Sequence, residues 1–74
     1  MPFVSIRITR DGNTAEQKAQ LIREITDSFE RVLHKPPELT HITIEEVDIG
    51  NWGYGGRTVA ERRATIAGVR PSRE

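Results

Sequence analysis

The stretch FVSIRITRDGNTAEQ, residues 3–17, decides the fold, because the hydrophobic period changes inside it. Val4, Ile6 and Ile8 alternate with Phe3, Ser5, Arg7 and Thr9, the period of two expected of a strand over residues 3–9. Arg10-Asp11-Gly12-Asn13 is turn chemistry, with glycine available for a positive φ. Thr14-Ala-Glu-Gln17 reads as a capping box, so a helix starts near Ala15. Leu21, Ile22, Ile25, Phe29, Val32 and Leu33 then follow a 3.6-residue period and form one apolar stripe. Pro36 and Pro37 cannot extend a helix, which places its end near His34. A second apolar alternation, ITIEEV, predicts a strand over about 41–47. Strand, long helix and strand make a β-α-β unit, whose two strands are expected to lie parallel.

Beyond this unit, GNWGYGG (residues 50–56) is too rich in glycine for a regular element and is expected to form a turn or hairpin bearing Trp52 and Tyr54. Residues 57–74 show a weak apolar pattern in Val59, Ala60, Ala64, Ile66 and Val69, to which no element is assigned, and the tail from about Pro71 is expected to be loose. The fold class is therefore α/β, a β-α-β protomer with parallel strands plus a C-terminal hairpin. No linker or repeat divides the chain, so residues 1–74 are read as one domain.

A chain of 74 residues buries roughly 60% of its unfolded surface, a thin margin, and without cysteine no disulfide or thiolate metal site supplements it. Two parallel strands under one helix leave open edges. Self-association that extends and covers the sheet is the expected supplement. Eleven basic and eleven acidic side chains cancel, leaving no general attraction to nucleic acid or anionic lipid. No apolar run approaches the roughly 20 residues of a membrane span, and no basic-then-apolar leader opens the sequence; a soluble, cytoplasmic protein is expected. The charges are nonetheless segregated. Residues 38–50 hold Glu38, Glu45, Glu46 and Asp48 without a base, whereas residues 57–74 hold five arginines against Glu61 and Glu74. A solvated tail, or salt bridges from its arginines to the acidic stretch of a neighbouring chain, is expected.

Pro2 is the first chemical candidate. Were Met1 removed, Pro2 would carry a free secondary amine; α-amines titrate at about 7.7–8.0, and desolvation or nearby cations lower that value, so an amine fixed at a sheet end could act as a general base. Trp52 can wall an apolar pocket or simply pack on a neighbouring surface. The glycine-rich run lacks the Gly-Lys-Ser/Thr ending of a phosphate loop. His34 and His41 lack metal-site spacing; His34 suits a helix C-terminus, where positive charge is favoured, and no metal is expected. Glu45 and Glu46 are neighbours in a strand and point to opposite faces, one solvated and one expected to meet an arginine across a subunit boundary.

Met-Pro opening a strand, TAEQKAQLIREIT at the helix start, the proline break, the second strand and GNWGYGG together resemble 4-oxalocrotonate tautomerase and its short-chain relatives, from Pro2 to about Gly56. The resemblance implies β-α-β units that pair into four-stranded sheets and assemble as hexamers. It implies that Pro2 is an amino-terminal base moving a proton from the hydroxyl of a 2-hydroxy-2,4-dienoate to carbon, without metal or organic cofactor. It further implies that the substrate, a small carboxylate, is contacted by Trp52 and by the residues at positions 13 and 41, here Asn13 and His41; proximity in sequence adds Arg10. Two arginines that hold the substrate in the family fall here on Asn13 and His41, and the loop TRDGNT is one residue longer than usual. An amide is uncharged and an imidazole only partly cationic near neutrality. Three accounts stay open: Arg7 or Arg10 substitutes, a paralogue co-assembles and supplies the arginines, or the substrate is smaller or carries one carboxylate. A non-catalytic oligomeric binding protein with a degenerate site is the alternative. Haloacrylate hydration ranks lower, since no Asp or Glu lies between Gly50 and Arg57.

Overall fold

In the computed structural model, which describes residues 1–69 with side chains through Thr65, the β-α-β unit forms as expected. Strand β1 (Phe3–Thr9) pairs in parallel with β2 (His41–Val47), in a register running from Phe3 opposite His41 to Thr9 opposite Val47. Between them, helix α1 (Ala15–Leu33) opens on the capping box: the Thr14 hydroxyl accepts from the Gln17 N–H at 3.0 Å, and the Gln17 side chain accepts from the Thr14 N–H at 2.9 Å. Gly12 takes φ +78° in the preceding turn, a conformation that costs a side-chain-bearing residue about 1–2 kcal/mol. At its other end, α1 closes on His34 in the left-handed conformation, φ 59°. The His34 N–H donates to Glu30 O at 3.0 Å, the single bond of an αL cap usually built on glycine, and the Lys35 N–H donates to Phe29 O at 3.2 Å.

Val4, Ile6 and Ile8 lie half-buried on the helix side of the strand pair with Ile42, Ile44 and Glu46. Phe3, Ser5, Arg7, His41, Thr43 and Glu45 are exposed on the other side. After β2, a short 3-10 turn (Ile49–Asn51) leads into an antiparallel hairpin, β3 (Gly53–Tyr54) and β4 (Arg57–Thr58). Gly55 and Gly56 both have positive φ, 64° and 80°, as a two-residue type I′ turn requires.

The segment to which no element was assigned is a helix, α2 (Val59–Val69). Thr58 and Glu61 form a second capping box, with N–H to side-chain oxygen distances of 2.9 and 3.0 Å. Arg70, Arg73, Glu74 and the tail from Pro71, expected to be loose, lie outside the described residues.

Among the described residues Val59 alone is buried, at 4% exposure, while Phe3, Val32 and Leu33 expose more than half their surface. The Cα radius of gyration is 16.4 Å, against about 11 Å for a compact domain of this length. One chain therefore leaves its apolar surface open.

Candidate active site

Proline at position 2 cannot donate a backbone hydrogen bond, so it can enter a sheet only at a strand's first step or edge. Pro2 does this: it is half-buried just ahead of β1, and its carbonyl accepts from the His41 N–H at 2.9 Å. That bond extends the ladder by one residue and fixes Pro2 to the start of β2. The His41 side chain is exposed on the same end, beside Phe3, which is 66% exposed.

Arg10, Asn13 and Trp52 lie at the other end. Strands rise about 3.3 Å per residue, so seven paired residues separate the two ends by about 20 Å. A single chain brings Pro2 and His41 together, and brings Arg10 and Asn13 together, but it does not join the two groups.

The far end is knitted by charge. Arg10 donates from Nη1 to Asp48 Oδ1 at 2.7 Å and from Nη2 to the Glu46 carbonyl at 3.5 Å, while its backbone N–H bonds Val47 O at 2.9 Å. Asn13 gives its amide to Thr9 O at 3.2 Å and Glu46 Oε2 at 3.1 Å. Lys18 completes the carboxylate from α1, Nζ to Glu46 Oε1 at 3.1 Å. The hydrogen bonds from Asn13 and then Lys18 hold the Glu46 carboxyl below the usual carboxylate range. Asp11 is held low in the same way, first by Arg63 and then by the Thr9 hydroxyl. Both Arg63 Nη groups reach it, at 2.5 and 3.2 Å, so α2 clamps the β1–α1 loop.

Within one chain Glu45 meets Arg7, Nε to Oε1 at 3.1 Å, because the parallel register sets those residues side by side. Asp48 and Glu46 are likewise matched from the N-terminal side, by Arg10 and Lys18. Of the C-terminal arginines described, Arg63 contacts Asp11, Arg57 donates to the Thr65 hydroxyl at 2.8 Å, and Arg62 sits 4.2 Å above the Tyr54 ring.

Trp52 is half-buried at the end of the 3-10 turn, its carbonyl accepting from the Val59 N–H at 2.7 Å. It lines an open cavity of about 380 Å³ together with Arg7, Glu45, Val47, Asn51 and Gly53, on the side of the sheet away from α1. Trp52 and Val47 supply the apolar part of that lining. Arg7 and Asn51 as its polar neighbours follow from the fold: strand alternation turns Arg7 to that side, and the 3-10 turn returns Trp52 over it. No group of three or more His, Cys, Asp or Glu side chains suited to a metal occurs among the described residues. No helix among the described residues is long and apolar enough to cross a membrane.

A family model described as tautomerase enzyme matches residues 2–62. A probable tautomerase, K2, from Dickeya dadantii is 56% identical over 63 residues, covering 85% of this chain and 94% of the relative. Among solved structures, 4-oxalocrotonate tautomerase isozymes from Methylibium petroleiphilum match with a TM-score of 0.81 at 30% identity, over 86% of this chain and 98% of theirs. A heterohexamer 4-oxalocrotonate tautomerase from Chloroflexus aurantiacus matches with a TM-score of 0.75 at 30% identity, over 82% of this chain and 97% of that one. The parallel β-α-β unit, the glycine hairpin and these matches agree, and the chain belongs to the 4-oxalocrotonate tautomerase family.

Proposed function

We propose that the protein is a keto-enol tautomerase acting on a 2-hydroxy-dienoate or a related 2-oxo acid, with the nitrogen of Pro2 as its general base. The observation that carries this is the placement of Pro2: half-buried, and tied through its carbonyl to His41 at a sheet end rather than on a frayed terminus. With Met1 attached the Pro2 nitrogen is a tertiary amide and has no basic lone pair, so the chemistry requires its removal. The freed amine takes the hydroxyl proton of the dienol. The O–H electrons form the carbonyl, the diene shifts by one bond, and the amine returns the proton to carbon to give the conjugated 2-oxo-3-enoate. Electrons and protons balance without a cofactor.

The 20 Å between Pro2 and the Trp52 end supports a site shared between copies, the Pro2 and His41 of one chain facing the Trp52 cavity of another. Exposed Phe3, Val32 and Leu33, together with the extended shape, support self-association, and the hexamer is our reading of its size. Trp52 would keep the amine environment apolar and favour its neutral form. His41 would contact the substrate oxygens from the Pro2 side, and Arg10 and Asn13 would border the pocket while held by Asp48 and Glu46. The absence of cysteine agrees with a reducing compartment, and the cytoplasm is assigned. A second reading, a hetero-oligomer in which a paralogue supplies guanidinium groups, is favoured by one observation: Asn13 is committed to Glu46 and His41 is no arginine.

Steady-state ketonisation of phenylenolpyruvate and 2-hydroxymuconate, with intact mass confirming loss of Met1, tests the proposal. Pro2→Ala should lower kcat/KM by about 10²–10⁴-fold, the usual contribution of a positioned base. Equal rates for the two proteins would refute the role of Pro2.

A further inference from the structure

We infer that Arg7 is the residue that takes the substrate carboxylate, and that Glu45 beside it selects molecules bearing one carboxylate over those bearing two. This rests on the tautomerase reading above for its substrate class, and on the cavity for its geometry. Arg7 lines the same cavity as Trp52 and Asn51. Its guanidinium spends only Nε, on Glu45 at 3.1 Å, and the two Nη groups donate to no described residue. A guanidinium edge of this kind matches the two oxygens of a carboxylate.

The other bases of this end are committed elsewhere. Arg10 closes on Asp48 and the Glu46 carbonyl, Lys18 closes on Glu46, and neither lines the cavity. Within one chain the side chains of Arg7 and Glu45 are 71% and 65% exposed, so no other group of that chain covers the pair. The cavity therefore presents one cation already half-neutralised by one anion. A single carboxylate gains the guanidinium edge, whereas a second carboxylate entering the same 380 Å³ meets Glu45 and no further cation. That volume falls near the lower end of the roughly 300–1,000 Å³ typical of small-molecule sites, which suits a short-chain or single-ring acid. Loss of arginine at positions 13 and 41 is then matched by a guanidinium moved to the strand face. The specificity would move with it.

Trp52 is the sole tryptophan of the chain, so its emission reports occupancy of the cavity independently of turnover. The assembled protein is titrated with crotonate and with fumarate, one and two carboxylates on the same four-carbon skeleton. Crotonate should bind wild type more tightly than fumarate. Arg7→Ala should raise the crotonate Kd about tenfold or more, Arg7→Lys should raise it less, and Glu45→Gln should leave crotonate binding intact while narrowing its advantage over fumarate. An unchanged crotonate Kd in Arg7→Ala, tighter fumarate than crotonate in wild type, or no quenching by crotonate at all overturns the inference. If circular dichroism shows that Arg7→Ala fails to fold, Arg7→Lys and Glu45→Gln decide, and wild-type constants in both count against it. Crotonate binding that depends on Arg7 in a protein unable to ketonise enols leaves Arg7 standing and removes the tautomerase reading. Turnover with a KM insensitive to Arg7→Ala does the reverse.

Discussion

The two ends of the parallel strand pair are ordered in opposite ways. At the Pro2 end the bonds are backbone bonds, and what projects is apolar or uncommitted: Met1, 82% exposed, Phe3, 66% exposed, and the exposed His41 ring. At the Arg10 end nearly every charge has found its counterpart within the chain, through the Arg10–Asp48, Lys18–Glu46 and Arg63–Asp11 pairs. Pairs as exposed as Arg10–Asp48 add little stability individually, but with the half-buried Lys18–Glu46 pair they fix the loop from Thr9 to Thr14. An end that satisfies its own charges holds the Trp52 cavity in place, and an end that leaves apolar surface open is built to be completed by something else.

The sharpest way to break that contrast is to ask whether one chain can use both ends at once. Two inactive proteins, Pro2→Ala and Trp52→Ala, are unfolded, mixed in equal amounts and refolded together. If each site takes Pro2 from one chain and Trp52 from another, random mixing leaves about one quarter of the sites intact, and activity should return to about that fraction of wild type. Activity no greater than the sum of the parents would place both residues in one chain and dissolve the distinction.

A smaller effect is expected from Thr58→Ala, which removes the cap of α2 and should cost about 1 kcal/mol in chemical denaturation. Because α2 carries Arg63 to Asp11, hydrogen exchange should quicken in the Arg10–Asn13 loop and not at the His41 N–H that bonds Pro2. Equal quickening at both ends would show that they are not independently ordered.

Acid provides a gentler perturbation of the same kind. The folded-state pKa values of Glu46 and Asp11 lie below their ordinary values of 4.5 and 3.8. Their contribution to stability is therefore present above those values and is lost as pH falls through the lower folded ones. Below about pH 4 the Arg10 end should loosen first, and Glu46→Gln should flatten that dependence; an unaltered melting profile between pH 5 and 3 would contradict it. The smallest change concerns the connection that delivers His41. His34→Gly relieves the left-handed strain at the end of α1 against a more flexible unfolded chain, and should stabilise by about 0.5 kcal/mol in the same denaturation assay.

Much of this was legible in the residues, and what was not had a physical reason. The alternation of Val4, Ile6 and Ile8 and the apolar stripe of α1 report directly on which side is dry, so both elements were expected with bounds close to those found. Thr58-Val-Ala-Glu61 carries the same capping signature as Thr14-Ala-Glu-Gln17, but no apolar stripe follows it, and a cap without periodicity was not assigned to a helix. Position along the chain suggested that Arg7 and Arg10 were equivalent substitutes for lost arginines. Their difference is set by register, which pairs Arg7 with Glu45 across the strands, and by the short turn that returns Trp52 above them. Neither can be read from spacing alone. The charge segregation was visible, yet its resolution depended on β2 lying beside β1, which brings the acids to the N-terminal bases and not to the C-terminal arginines.

Val59, the one buried side chain described, has a consequence for how unfolding would be measured. The denaturant slope of an unfolding transition scales with the surface newly exposed, and a lone chain with so little covered has little left to expose. A steep slope would thus report surface covered between chains, and its midpoint should rise with protein concentration as mass action demands. Diluted toward the concentrations used in enzyme assays, the protein would lose its cooperative transition before losing its helices, making the denaturant slope a gauge of assembly.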